Sequence, residues 1–247
     1  MRYLILSDIH ANIHALDAVL EDAADVGWDA AICLGDLVGY GADSAAVLQR
    51  MRELAPQWLV RGNHDRVCAG LTSSATFSPP ARIAIEWTRA TLSEDDLAML
   101  SALPVGPLAV DADALLCHGA PHDEDMYLLD TADATLAMSA HRARLCLHGH
   151  THAQTIFHLS HQGLRDVTPA RRRSHVITLG PGARWLINPG SVGQPRDRDP
   201  RAAYAVWDTG ADTMDLRRVA YDVPAAQAAI RDAGLPDRLA ERLAAGE

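Results

Sequence analysis

The sequence has little of what marks secreted, membrane-spanning or nucleic-acid-coating proteins. Four of its 247 residues are cysteine and none has Cys-x-x-Cys spacing, which argues against a zinc ribbon or a disulfide framework. The apolar stretch at residues 1–8 is too short for a signal sequence, and no other run reaches membrane length. The formal charge of −10 disfavours broad binding to nucleic acid or anionic lipid. We therefore expect a cytoplasmic protein in a reducing compartment.

What the chain does contain is a hydrophobic fraction of 48%, enough for a sizeable core. It has neither an internal repeat nor a low-complexity linker, so we expect one domain over residues 1–247. Short apolar runs alternate with helical patterns, which predicts a mainly parallel α/β sheet with helical cover. The predicted strands are residues 2–7, 30–34, 57–60, 114–117, 145–147 and 185–187.

Helical periodicity separates the first predicted strands. Apolar residues recur at helical spacing over positions 13–23 and 47–54, the second pattern following the capping candidates Asp43 and Ser44. Further helices are predicted to begin at Pro79 and after Ser93.

The rest of the chain gives weaker signals. Residues 158–182 mix glycine, proline and three consecutive arginines, which indicates a hairpin or a surface insertion between core strands. A strand is predicted at 204–208. The remaining 208–247 extension carries two short amphipathic patterns, and we expect it to pack on the core.

Five short polar blocks, each directly after an apolar run, are the most informative feature. Ligands of parallel sheets gather beyond the carboxyl ends of the strands, so these blocks are predicted to converge in one crevice. As candidate ligands they offer the carboxylates of Asp8 and Asp36, one amide oxygen and four imidazoles, with one histidine to spare. The blocks are Asp8-Ile9-His10, Gly35-Asp36, Gly62-Asn63-His64-Asp65, His118-Gly119 and Gly149-His150-Thr151-His152.

This inventory suits two divalent cations that share one carboxylate, for which Asp36 is the candidate. Cations about 3.5 to 4 Å apart can hold a hydroxide between them and grip phosphoryl oxygens, so the set points to phosphate-ester hydrolysis. His118 and Asn63 would complete the coordination of the second cation. His64 is then free to protonate a leaving alkoxide or to stabilise charge on the phosphoryl group. Two blocks place ligands two residues apart, where both could face one ion: Asp8 with His10, and His150 with His152.

In this order, the blocks resemble those of the calcineurin-like metallophosphoesterases, over residues 1 to about 208. Segments 7–12 and 188–196 are similar to the small prokaryotic phosphodiesterase branch. The resemblance implies an α/β four-layer α-β-β-α sandwich, with two mixed sheets face to face and helices outside. It also implies that the site binds two divalent ions. Mn²⁺ is the first candidate, and Fe, Zn, Co or Ni are the alternatives. The implied ligands are Asp8, His10, Asp36 and His152 for one ion, and Asp36, Asn63, His118 and His150 for the other.

Departures from the family pattern bear on the substrate. Related phosphoprotein phosphatases continue the Gly-Asp block with aspartate and arginine, where this chain has Gly39 and Tyr40. His64 therefore lacks its usual carboxylate partner, which disfavours a protein Ser/Thr phosphatase. Many phosphodiesterases of the branch have cysteine at the position of His64, so a proton donor here would favour monoesters as well. Arg61 matches the phosphatases and Arg196 lies in the branch-typical segment, and both are candidate phosphate-binding residues.

We therefore expect hydrolysis of a small phosphodiester, of nucleotide type among the candidates, with phosphomonoesters as a second class. A protein Ser/Thr phosphatase and a non-catalytic metal-binding scaffold are the alternatives, the latter because the retromer subunit of similar fold is an interaction platform. No implied metal ligand is missing, which favours catalysis. The remaining histidines are expected to be ordinary surface or core residues: His14, His122, His141, His148, His158, His161 and His175.

Overall fold

Two six-stranded mixed sheets with helices around them form the structure, a computed structural model that describes residues 1–247. The strands are β1 (Arg2–Leu6), β2 (Ala30–Cys33), β3 (Trp58–Leu59), β4 (Leu108–Ala109), β5 (Ala114–Leu116), β6 (Leu145–Leu147), β7 (Gln154–Ser160), β8 (Gly163–Asp166), β9 (Ser174–Thr178), β10 (Arg184–Pro189), β11 (Ala202–Asp208) and β12 (Thr213–Val219). The helices are α1 (Ile13–Val26), α2 (Ser44–Leu54), α3 (Asn63–Cys68), α4 (Pro79–Thr91), α5 (Glu94–Ser101), α6 (Thr131–Ser139), α7 (Val223–Asp232) and α8 (Asp237–Ala245). This arrangement confirms the four-layer sandwich. None of the helices has the length and apolar composition needed to cross a bilayer.

The strand order is β3-β2-β1-β11-β12-β9 in the first sheet and β4-β5-β6-β10-β7-β8 in the second. Strands β1, β2 and β3 are parallel, as are β5, β6 and β10. The other neighbours are antiparallel, so the expectation of a mainly parallel sheet is wrong. The physical reason is chain connection, because hairpins such as β7-β8 and β11-β12 are too short for a crossover and impose antiparallel pairing.

Alternation along β1 shows how the layers are held together. Tyr3 and Ile5 belong to the apolar cluster between the two sheets, together with residues of the second sheet such as Ile187. Leu4 and Leu6 point the other way and pack with the residues of α1 and α2. Because both faces of β1 are buried from Tyr3 to Leu6, these residues are all apolar or aromatic instead of alternating with charged residues.

The segment 158–182 contains the predicted hairpin and one feature that its sequence does not announce. Strands β7 and β8 pair as an antiparallel hairpin at the edge of the second sheet. Strand β9 then joins the first sheet beside β12. Its residues alternate between exposed and half-buried, which is a weak signal because an edge strand has few apolar residues to bury.

The predicted C-terminal helices form a pair that packs on α4 and on the loop after β2. Their apolar residues, among them Ile230, Leu239 and Leu243, form one cluster with Ala84 of α4, and Tyr40 packs against it. This contact carries the last helix to the mouth of the polar crevice described below.

Truncation of a leucine in this helical pair should measure how firmly it is attached. We expect Leu239→Ala to lower the free energy of unfolding by about 2 to 5 kcal/mol, because the side chain is 1% exposed and its removal leaves a cavity. Leu136→Ala is the control, since that leucine is 51% exposed. Urea unfolding followed by circular dichroism gives both values. Equal effects of the two substitutions would show that α8 is not packed against the core.

Candidate metal centre

The five polar blocks meet where strands of both sheets end. They follow β1, β2, β3, β5 and β6, and the third block opens α3. Of the seven predicted metal-binding residues, all except Asn63 are buried. Their ligand atoms form two clusters, within each of which every pair of atoms is at most 4.8 Å apart. The clusters are Asp8, His10, Asp36 and His152, and Asp36, His118 and His150.

The first cluster combines the block after β1 with the last histidine of the block after β6. Nε2 of His10 lies 3.1 Å from Nε2 of His152 and 3.4 Å from Oδ2 of Asp36. Nε2 of His152 lies 3.3 Å from Oδ1 of Asp8. Three strand ends thus contribute atoms to one small volume.

The second cluster is built around His118. Its Nε2 lies 3.1 Å from Nδ1 of His150, 3.3 Å from Oδ2 of Asp36 and 3.2 Å from Oδ1 of Asn63. His150 and His152 therefore belong to different clusters, although their spacing suggested one shared ion. Both have positive φ, 69° and 59°, and their rings are held by different carbonyls, those of Asp125 and Gln194.

Each clustered histidine has one ring nitrogen at a main-chain carbonyl. Donation of the N–H there leaves the second nitrogen with its lone pair facing the cluster, which is how metal-binding histidines are oriented. The facing nitrogens of His10 and His152 then have no proton between them, and a cation satisfies both. The carbonyl partners are Val38 for His10 (3.0 Å), Leu34 for His118 (2.8 Å), Asp125 for His150 (3.1 Å) and Gln194 for His152 (2.7 Å).

The Asp36 carboxylate is shared by the two clusters. Its Oδ1 accepts a hydrogen bond of 2.9 Å from the backbone N–H of His64. Its Oδ2 is buried, has no hydrogen-bond partner, and lies 3.4 Å from Nε2 of His10 and 3.3 Å from Nε2 of His118. A buried carboxylate oxygen without a partner is costly, and two adjacent cations would remove that cost. The residues therefore fit a pair of divalent ions.

The pKa values of the residues in the two clusters also support the binding of cations. Burial raises the pKa of Asp8 to about 6, and burial lowers those of His10 and His152 well below their ordinary value. Burial would also lower the pKa of His118, but the Asp36 carboxylate next to it raises that pKa to about 10. The centre thus stabilises positive charge beside Asp36, where a metal ion can take the place of the proton.

Asp65, the last residue of the third block, shapes the loop that carries Asp36. Its carboxylate is buried and accepts hydrogen bonds from the backbone N–H groups of Asp36 (2.8 Å), Leu37 (2.8 Å) and Gly62 (2.9 Å). Gly62 lies so close that a Cβ there would collide with Oδ1 of Asp36. The sequence analysis gave Asp65 no role, because a carboxylate that accepts backbone N–H groups looks like any other acidic residue in a motif.

The end of β10 and the residues after it brace the centre from the second sheet. Nδ2 of Asn188 donates to the carbonyl of Gly149 at 2.7 Å and to Oγ1 of Thr151 at 2.9 Å. Oγ of Ser191 donates to the carbonyl of Asp8 at 2.7 Å. These contacts therefore hold the loops of two ligand blocks in register.

His64 lies beside both clusters without joining either. Its ring packs between Tyr40, at a centroid distance of 4.4 Å, and Phe77, at 4.5 Å. Its Nδ1 is buried without a partner and lies against Gly39, where a Cβ would collide with it. The absence of the carboxylate partner is thus confirmed, and Nε2 is the nitrogen left for the crevice.

A crevice of about 270 Å³ opens over the clusters. Arg196, one of the predicted phosphate-binding residues, lies in its wall. Arg61 does not: its Nη2 pairs with Oε1 of Glu124 at 3.1 Å, so a phosphate would have to compete with that carboxylate. The sequence analysis missed Tyr127, which stacks on His150 at 4.0 Å, and Arg242 of α8, since neither lies in a motif. None of the seven remaining histidines joins a cluster.

Removal of one oxygen from the Asp65 brace should loosen the centre. We expect Asp65→Asn to lower the free energy of unfolding by about 1 to 3 kcal/mol, because the amide turns a donor toward backbone N–H groups that need an acceptor. Metal content after reconstitution, measured by mass spectrometry, should fall as the Asp36 loop shifts. Asp95→Asn, at an exposed carboxylate of α5, is the control. Unchanged stability and metal content would contradict the bracing role.

Comparison with known proteins agrees with the fold and with this arrangement of residues. The model of the calcineurin-like phosphoesterase superfamily domain matches residues 1–212. The crystal structure of a metallophosphoesterase from Sphaerobacter thermophilus has 39% identity and a TM-score of 0.87, covering 100% of this chain and 99% of that one.

Two archaeal proteins are also similar over their whole length. An uncharacterized protein of Methanocaldococcus jannaschii is 34% identical over an alignment of 250 positions, which covers 98% of this chain and 97% of that protein. The crystal structure of a hypothetical protein from Pyrococcus horikoshii has 18% identity and a TM-score of 0.81, covering 100% and 98%, and shows the shared fold. With the family match and the 39% identical structure, these likenesses establish that the chain belongs to the calcineurin-like phosphoesterase superfamily and is a phosphate-ester hydrolase.

Proposed function

We propose that the protein is a phosphodiesterase that uses two divalent metal ions, with Mn²⁺ as the first candidate. The observation that carries the proposal is the unpartnered Oδ2 of Asp36, placed between Nε2 of His10 and Nε2 of His118. When bound, the ions would activate water and polarise the phosphoryl oxygens. The proposed ligands are Asp8, His10, Asp36 and His152 for one ion, and Asp36, Asn63, His118 and His150 for the other.

The chain's own residues would position the ester above the clusters. Arg196 borders the crevice and keeps a buried Nε without a hydrogen-bond partner, so it can donate to a phosphoryl oxygen. The free Nε2 of His64 can donate a second hydrogen bond. Without a carboxylate at Gly39 to stabilise an imidazolium, we assign His64 the role of stabilising phosphoryl charge and not that of a proton donor.

The shape of the crevice supports a diester with an organic group on each side. Phe77 and Tyr127 border the crevice and also a second groove of about 520 Å³ that continues from it past Thr72 and Arg66. Crevices of this size hold small molecules, and aromatic walls suit flat apolar groups. A protein Ser/Thr phosphatase is disfavoured, because Gly39 and Tyr40 replace the aspartate and arginine on which that activity depends.

Replacement of the bridging carboxylate tests the metal site and the activity together. After metal removal and reconstitution with Mn²⁺, we expect the wild-type protein to hold two ions per chain and cleave bis(p-nitrophenyl) phosphate faster than p-nitrophenyl phosphate. Asp36→Asn should hold less than one ion and lose more than about 100-fold in rate, because both clusters depend on this oxygen. It keeps Oδ1 for the His64 backbone N–H, so folding should be retained.

The two readouts separate the alternatives. Asp95→Asn should match the wild-type protein in metal content and rate. Two bound ions without cleavage of either ester would favour the non-catalytic scaffold, whereas full activity in Asp36→Asn would exclude the shared carboxylate.

His64→Ala should keep both metal ions and lower the rate by roughly 100-fold. The loss should be similar for nitrophenyl and alkyl esters, since a hydrogen bond to the phosphoryl group does not depend on the leaving group. The control is His161→Ala, at an exposed turn of the β7-β8 hairpin. A much larger loss for alkyl esters would instead identify His64 as the proton donor.

A further inference from the structure

Two arginines from distant parts of the chain lie at one wall of the crevice. The guanidinium carbon of Arg196 is 5.4 Å from the centre of the Tyr40 ring, and that of Arg242 is 5.9 Å from the same centre. Arg196 belongs to the segment after β10, while Arg242 is carried by α8, whose apolar face packs in the cluster that Tyr40 contacts. Cation–π contact with Tyr40 holds both guanidinium groups in place.

Neither charge is balanced by an acidic side chain. No Asp or Glu side chain lies within 4.0 Å of either guanidinium. Nη2 of Arg196 donates to Oε1 of Gln194 at 2.9 Å, and Nε of Arg242 donates to the main-chain oxygen of Glu247 at 2.6 Å. The charge of Glu247 therefore offsets part of the charge of Arg242. Arg196 has no acidic partner, although the protein has 32 acidic and 22 basic residues.

The electrostatic environment of the pair favours an anion. Burial, followed by the charge of Arg196, lowers the pKa of Arg242. Arg196 lies beside the first cluster, because its backbone N–H donates to the carbonyl of His152 at 3.0 Å. A negatively charged group between the arginines would relieve the repulsion and take hydrogen bonds from both.

We propose that Arg242, beside Arg196, forms a second anion subsite, which selects substrates with another phosphate next to the scissile one that Arg196 contacts. This inference rests on the proposed function, because the metal clusters are taken to bind the scissile phosphate. The chemical class it implies is a phosphoanhydride-linked ester, such as a nucleoside polyphosphate. Arg242 lies beyond residues 1–212, so the match to the superfamily does not assign it a role.

Binding of two inorganic probes to the manganese-loaded protein separates the subsite from the metal centre. Calorimetry should show that the wild-type protein binds pyrophosphate at least about tenfold more tightly than phosphate, because only pyrophosphate reaches both places. Arg242→Gln should weaken pyrophosphate binding about tenfold and change phosphate binding less than about twofold. Arg242→Lys should fall between, since it keeps the charge and loses the planar fork.

Arg238→Gln is the matched control, because it removes an exposed arginine one turn earlier on α8. It should bind both probes like the wild-type protein, and thermal melts should show all variants folded. Equal affinity of the wild-type protein for the two probes, or an Arg242→Gln effect shared by both, would overturn the subsite. Binding does not require turnover, so an inactive protein with tight pyrophosphate binding would contradict only the proposed function.

Discussion

The placement of one carboxylate oxygen between two groups of imidazoles is the constraint on which the site depends. Oδ2 of Asp36 belongs equally to the cluster of His10 and to that of His118, while Oδ1 is held by the start of α3. The loop that carries Asp36 cannot move without disturbing both clusters. Asp65 fixes that loop through the backbone N–H groups of Asp36, Leu37 and Val38, so α3 sets the geometry of the whole centre.

The centre is held in a conformation that the isolated chain would avoid. Among the six buried candidate ligands, only His118 lacks a positive φ. Such left-handed residues cost of order 1 to 3 kcal/mol each and persist only where the surroundings over-determine them. Here the bracing is backbone to backbone: the N–H groups of Asp8 and His10 donate to the carbonyls of Gly35 and Asp36, and that of Gly193 donates to the carbonyl of Asp8. Strand order supplies these partners, so the fold stabilises the strained loops.

The sequence could predict the ligand inventory because metal chemistry requires particular side chains after particular strands. Asp8, Asp36 and His118 follow apolar runs that can hardly be anything but buried strands. The division of the ligands between two clusters is harder to predict, since it depends on the distant carbonyls of Asp125 and Gln194 that hold the rings of His150 and His152. The family resemblance supplied that division, whereas spacing alone suggested the wrong one.

Features that depend on tertiary packing could not be predicted from the sequence. Strand β9 has too few apolar residues to show that it crosses to the other sheet. Arg242 sits on an ordinary amphipathic helix, and only the contact between that helix and Tyr40 brings it to the crevice. Arg61 was predicted to face phosphate, but Glu124, from a loop far along the chain, takes its guanidinium.

The use of main-chain carbonyls to orient the clustered histidines has a consequence for divergence within the superfamily. A carboxylate in that position would make the ring more basic and would be lost by a single substitution, but a carbonyl is present whatever side chain the residue carries. Relatives can therefore change the residues at positions 34, 38, 125 and 194 and still present the same lone pairs. Neutral partners would also leave more positive charge on bound metal ions, so the orientation of the ligands can be inherited while the crevice walls evolve toward different esters.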